Sequence, residues 1–192
     1  MRLFACTFLS PAHRAACDRL AVRLTEAHGR LVRPIPALSA HVTYAFLAHL
    51  DAALLPRAIE LLRSAAATLG AVEVTIDAPA VLFAKREARL VHAPVGMGAP
   101  ALARITAVIA EAFERGLPDA GVSASRAPHV TLARFRRGAT RTAARPVVDS
   151  LAQAAAPMTE RFAEVQLVSS DLSAGGPIYT TQATVALGSS ES

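Results

Sequence analysis

One five-residue pattern occurs twice in this chain. His41-Val42-Thr43-Tyr44-Ala45 returns as His129-Val130-Thr131-Leu132-Ala133, with four of five positions identical and the histidines 88 residues apart. Both copies read as strands, at 41–48 and 129–135. A single His-x-Thr is a weak signal, but two copies that also share Val and Ala constrain the fold. Strand side chains alternate, so His and Thr at i and i+2 share a face while Val42 and Val130 point the other way. Two such strands set face to face make a cleft with two imidazoles and two hydroxyls. Imidazole titrates near neutral pH, so one can serve as base while the other serves as acid. Hydroxyls donate to phosphate oxygens. The set suffices for in-line attack on a phosphodiester without a metal: one His activates the nucleophile, the other protonates the leaving oxygen, and the donors hold the anion.

Periodicity supplies the frame. Residues 3–9 read as a strand. Ser10-Pro11 marks a helix start, with Leu20, Leu24 and Ala27 on one face and Gly29 as the stop. Residues 30–40 form a proline-containing connection. Asp51 caps a second helix carrying Leu55, Ile59, Leu62, Ala66 and Leu69 at helical spacing. Residues 71–77 alternate as a strand, and 80–84 with 88–95 suit a hairpin around Lys85-Arg86-Glu87. Pro100 opens a third helix with Leu102, Ile105, Ile109 and Phe113 inward. Residues 118–128 read as loop and 146–155 as a helix. Strands at 161–171 and 178–187 are joined by Ser-Ala-Gly-Gly-Pro, a hairpin connection. No linker divides the chain, so 1–187 is expected to be one domain, with 188–192 a frayed tail.

Other chemistries lack their signatures. There is no His-Glu-x-x-His, Cys-x-x-Cys or obvious third zinc ligand, no Gly-x-Ser-x-Gly, and no Walker A or Gly-x-Gly-x-x-Gly loop. His13, His28, His49 and His92 have no matched partners and read as surface or structural residues. Cys6 and Cys17 read as reduced, buried thiols, which suits a cytoplasmic protein. The longest early run free of charged side chains, Pro34 to Leu50, carries two histidines and two prolines. It is shorter than the roughly 20 apolar residues of a membrane-spanning helix. The chain has 19 arginines, one lysine and a net charge of +5, which leaves phosphate esters and RNA open as partners.

With these features the sequence resembles the 2H phosphoesterase superfamily, and within it the RNA 2′,3′-cyclic phosphodiesterases of bacteria and archaea, also called 2′-5′ RNA ligase-like proteins. The resemblance runs over nearly the whole chain. Arg2-Leu3-Phe4-Ala5 and Ser10-Pro11 are similar to the family's start. Residues 41–47 and 128–134 are similar to its two motifs, and 169–172 with 175–179 to its closing hairpin. The resemblance implies an α+β, bilobal fold: two pseudo-symmetric lobes with antiparallel sheets around a central cleft and helices outside. It implies a monomeric enzyme without cofactor or metal, acting on RNA ends or nucleotides that carry a 2′,3′-cyclic phosphate. The product would be a 2′-phosphate, and some members catalyse a reversible 2′-5′ ligation.

By that resemblance His41 is the acid at the 3′ oxygen and His129 the base that activates water. Thr43 and Thr131 bind phosphate, and Arg134 and Phe46 contact ligand. Arg134 and Phe46 each lie five residues after a motif His. That offset is odd, so an ideal strand turns both away from the cleft, and a bulge or twist must re-aim them. The chain departs from the family at 88–93, where His92 stands about where many relatives carry Trp, and before the first motif, which lacks Asn-Leu-His. Two alternatives remain. One keeps the chemistry on a 2′-5′ oligonucleotide or small cyclic nucleotide. The other is a non-catalytic RNA- or nucleotide-binding module, with Arg136, Arg137, Arg141 and Arg145 as a basic stripe.

Overall fold

A computed structural model describes residues 1–151, 157–173 and 176–188. Two units of the same order carry the motifs. The first is β1 (Leu3–Phe8), α1 (Pro11–His28), β2 (Val32–Pro34) and β3 (His41–Leu47). Then come α2 (Leu55–Ala66), β4 (Val72–Ile76) and β5 (Ala80–Ala84). The second unit is β6 (Glu87–Pro94), α3 (Ala99–Gly116), β7 (Val122–Ala124) and β8 (His129–Phe135). The chain closes with α4 (Arg141–Leu151), β9 (Met158–Phe162), β10 (Glu164–Ser173) and β11 (Gly176–Ala186). Helices α1 and α3 each have 18 residues, and both ends stand 88 positions apart, as the motif histidines do. The repeat seen in five residues therefore extends through a whole β-α-β-β unit.

Nine strands make one antiparallel sheet, in the order β11-β10-β1-β3-β8-β6-β5, with β2 added to β8 and β7 to β3. β3 and β8 pair only through Val42 and Val130. Beyond that point each takes a short strand from the other unit: Ala45–Leu47 pair with β7, and Ala133–Phe135 with β2. The two motif strands splay apart, which divides the sheet into two lobes around a wedge. The helices are exchanged in the same sense, α1 packing against β8 and α3 against β3. The fold is thus α+β with two pseudo-symmetric lobes, and each unit completes the other's lobe.

Sequence chemistry accounts for the elements. Ser10 Oγ accepts from the His13 amide at 3.4 Å, and Pro11 occupies the first turn of α1, where its missing N–H costs nothing. Leu102, Ile105, Ile109 and Phe113 of α3 are buried at helical spacing, as expected. Asp51 caps a short 3-10 turn, 52–54, that leads into α2.

Four elements differ from the sequence reading. The connection 30–40 and the loop 118–128 contain β2 and β7, three-residue strands too short to show alternation. The strand expected at 161–171 is two strands: Ala163 separates β9, which pairs with β4 in a second small sheet, from β10, which pairs with β1. Helix α4 starts at Arg141 rather than Pro146. Thr140 caps it, its hydroxyl accepting from the Ala143 amide at 3.2 Å, and Pro146 lies inside. Residues 152–155 of the expected helix, Ala174 and Gly175 of the expected turn, and residues 189–192 of the expected tail lie outside the described residues. Gly188 donates its amide to the Ala66 carbonyl at 3.0 Å. Among the described residues, no helix is long and apolar enough to cross a membrane.

Candidate active site

The wedge between β3 and β8 is a cleft of about 490 Å³ lined by His41, Thr43, Phe46, His129, Thr131 and Arg134. All six residues singled out from the motifs therefore meet in one place. Val42 and Val130 are fully buried on the opposite face, as alternation requires.

The odd offset is resolved by a matched pair of bulges. On β3, Cys6 of β1 faces Thr43 and Ala5 faces Ala45, so Tyr44 has no opposite residue. On β8, His92 of β6 faces Thr131 and Val91 faces Ala133, so Leu132 has none. One extra residue in each strand reverses the alternation beyond it. Phe46 and Arg134 return to the face of the histidines, exposed, while Tyr44, Ala45, Leu132 and Ala133 are buried behind. Tyr44 is satisfied there, its Oη donating to Thr7 Oγ1 at 2.8 Å, and Thr7 donates to the Glu164 carbonyl at 2.6 Å.

Both histidines are anchored alike. Nδ1 of His41 lies 2.5 Å from the Ser39 carbonyl, and Nδ1 of His129 lies 2.9 Å from the Ala127 carbonyl. A carbonyl only accepts, so each Nδ1 carries the proton and each neutral ring keeps a bare Nε2. The carbonyl two residues before the histidine is used both times. No hydrogen bond within the described residues occupies the hydroxyl of Thr43 or Thr131.

The surroundings of the two rings differ. His41 is stacked on Phe4 at 5.0 Å and meets Phe8 and Tyr179 edge-on at 5.6 and 5.9 Å. Burial in this aromatic box pushes its pKa down to about 4. The Ser39 carbonyl opposes that shift, and the charges of His129 and Arg134 add to it. His129 instead meets a single ring, His92, at 5.5 Å and nearly perpendicular.

Sequence reasoning missed several parts of the site. Ser123 and Ser125 reach the cleft because β7 pairs with β3, a pairing with no sequence signature. Arg2, just before β1, and Tyr179, on β11 two strands beyond β1, also line the cleft. His92, read from sequence as surface or structural, lies against His129. Its one signal was the departure from the family's pattern at 88–93. The other unmatched histidines are elsewhere: His13 bonds Glu160 at 2.6 Å and His28 bonds Ser150 at 2.8 Å. Cys6 and Cys17 are buried, and burial raises both thiol pKa values. Of the proposed basic stripe, Arg141 packs over the Phe83 ring at 4.3 Å and Arg136 bonds the Gly29 carbonyl at 3.2 Å.

Comparison with known proteins agrees with this architecture. A family model described as the 2′-5′ RNA ligase superfamily matches residues 10–174. The chain belongs to that superfamily. A Thermus thermophilus protein, TT0787, matches with a TM-score of 0.78 at 22% identity, covering 100% of both chains. Escherichia coli LigT, solved with 3′-AMP, matches at 0.64 and 20% identity over 97% of this chain and 96% of its own. Kluyveromyces marxianus Usb1 matches at 0.53 and 16% identity over 97% of each chain. Such identities establish the shared fold. No curated protein matches the sequence.

Proposed function

We propose that the cleft hydrolyses a 2′,3′-cyclic phosphate at an RNA end or on a nucleotide, leaving the 2′-phosphate. The observation that carries this reading is the matched geometry of two imidazoles. Each is fixed through Nδ1 to a backbone carbonyl, and both line one cleft with two unengaged threonine hydroxyls and the exposed Arg134 guanidinium. Binding alone does not need two titratable rings with their Nδ1 protons fixed in the same way. Membership of the superfamily and the 3′-AMP complex of LigT support a nucleotide-sized substrate.

In this reading the Thr43 and Thr131 hydroxyls and Arg134 hold the non-bridging phosphate oxygens. His129 Nε2 takes a proton from water as the water oxygen bonds to phosphorus. The bond to the 3′ oxygen breaks, and His41 Nε2–H gives that oxygen its proton. A ribose 5′-hydroxyl in place of water gives the 2′-5′ ligation instead. Phe46, 47% exposed in the cleft, offers an apolar face to the base.

The acid role of His41 carries a condition. With a pKa of about 4 the free site holds it neutral at pH 7. The phosphate anion, brought into the same water-poor box, favours the imidazolium and recharges the ring. Anion binding then takes up a proton, so affinity falls as pH rises from about 4 towards the pKa of the complex.

The test is purified protein in EDTA with a short RNA ending in a 2′,3′-cyclic phosphate, resolving 2′- from 3′-phosphate. Conversion to the 2′-phosphate supports the reading. No conversion of RNA or mononucleotide cyclic phosphates by folded protein overturns it.

A further inference from the structure

His92 lies against His129, and the mechanism gives it no task. It lies on β6 opposite Thr131, and its ring stands 5.5 Å from that of His129 at 84°. Its Nδ1 is sealed from solvent and has no hydrogen-bond partner. A buried polar atom of this kind calls for an explanation. A proton on that nitrogen would be an unpaired buried donor, so the neutral ring carries its proton on Nε2. This is the reverse of the tautomer fixed in His41 and His129. Burial and the neighbouring His129 charge both disfavour the imidazolium of His92.

The pseudo-symmetry shows what this ring replaces. Cys6 occupies the matching place on β1, opposite Thr43, beneath a box of Phe4, Phe8 and Tyr179 that holds His41 on three sides. In the second lobe the residues facing Arg134 and His129 are Leu90 and Pro94, so the aromatic flanks of that box are missing. His92 is the single ring left to fix the plane of the His129 imidazole.

We infer that His92 is a positioning residue for His129, holding that ring perpendicular to itself so that Nδ1–H stays on the Ala127 carbonyl and Nε2 stays in the cleft. A neutral aromatic ring at this place suffices, and a charged one would oppose protonation of His129. Beside His129, the charged or titratable groups lining the cleft are Arg2, His41, Arg134 and Tyr179. The inference rests on the proposed function for its kinetic consequence but not for its structural one.

The deciding experiment is ¹⁵N imidazole NMR of the folded protein, wild type against His92→Ala and His92→Phe, with kinetics on a 2′,3′-cyclic nucleotide. In wild type, His129 holds the proton on Nδ1 and His92 on Nε2. His92→Ala gives His129 a mixture of tautomers and lowers kcat about tenfold with KM within about twofold, because orientation and not binding is lost. His92→Phe keeps the wild-type tautomer and keeps kcat within about threefold. In His129→Asn, the titration midpoint of His92 rises, because a like charge has gone.

An unchanged His129 tautomer and unchanged kcat in His92→Ala would overturn the inference. So would rescue by His92→Asn and not by His92→Phe, which would assign His92 a hydrogen bond instead. If wild type shows no turnover, the proposed function fails while the NMR comparison still decides this point.

Discussion

The two halves of the cleft have one backbone and two chemistries. Strands β3 and β8 share a burial pattern at all seven positions, a bulge after the motif threonine, and an Nδ1 bond to the carbonyl two residues back. Their side chains then diverge. Phe46 on one stands where Arg134 stands on the other, Phe4 matches Leu90, Phe8 matches Pro94, and Cys6 matches His92. The first half is an aromatic, water-poor box. The second lacks the aromatic rings and sets Arg134 and His92 about His129 instead. A duplicated frame makes two equivalent imidazoles in divergent surroundings, and under the proposed function the bound phosphate must recharge His41 before that ring can serve as the acid.

Breaking either half should cost most at the histidines. His41→Ala and His129→Ala should each lower kcat on a cyclic phosphate by about 10²–10⁴ while circular dichroism and melting stay close to wild type. Wild-type turnover in either variant would remove that half from the chemistry. Next comes the charge on the second half. Arg134→Met should weaken kcat/KM about 10- to 100-fold, the worth of a charge-assisted hydrogen bond. It should also let the His41 midpoint rise, since a nearby cation is gone.

The hydroxyls come after the charge. Thr43→Val and Thr131→Val should each cost about tenfold in kcat/KM, and near-equal losses would show that the phosphate sits on the pseudo-twofold axis. The smallest effect should come from Phe46→Ala. An exposed ring contributes little to stability, so melting should be unchanged while KM rises severalfold for a nucleotide substrate and not for inorganic phosphate binding.

The aromatic half also sets a pH dependence of stability. His41 has a folded pKa of about 4 against about 6.5 when unfolded. The unfolded chain therefore binds the extra proton first. The contribution of neutral His41 is whole above pH 6.5 and is lost as pH falls towards 4. Denaturant midpoints across that window should fall less steeply in His41→Gln than in wild type.

The sequence made part of this legible for a physical reason. The motif strands, the Ser10-Pro11 helix start and the inward face of α3 are local patterns, written in alternation, capping and 3.6-residue spacing. The cleft followed because two His-x-Thr strands had to share a surface. What was not legible is non-local. Strands β2 and β7 have three residues each, and only their exchange between units gives them partners. The bulges at Tyr44 and Leu132 depend on the register with β1 and β6, so Phe46 and Arg134 carried a parity conflict that register alone could settle. His92 entered the site through the same register. Residues far apart in the chain, such as Tyr179, reach His41 only once β10 has paired with β1.

The division of labour between the halves is tested most directly by changing the leaving group. Loss of kcat/KM in His41→Ala and in His129→Ala is measured on a 2′,3′-cyclic nucleotide and on a p-nitrophenyl phosphodiester. A p-nitrophenolate leaves without a proton, so the account predicts that the His41→Ala loss shrinks by about tenfold or more on that substrate while the His129→Ala loss persists. Equal losses on both substrates, or a loss that shrinks in His129→Ala instead, would contradict the assignment.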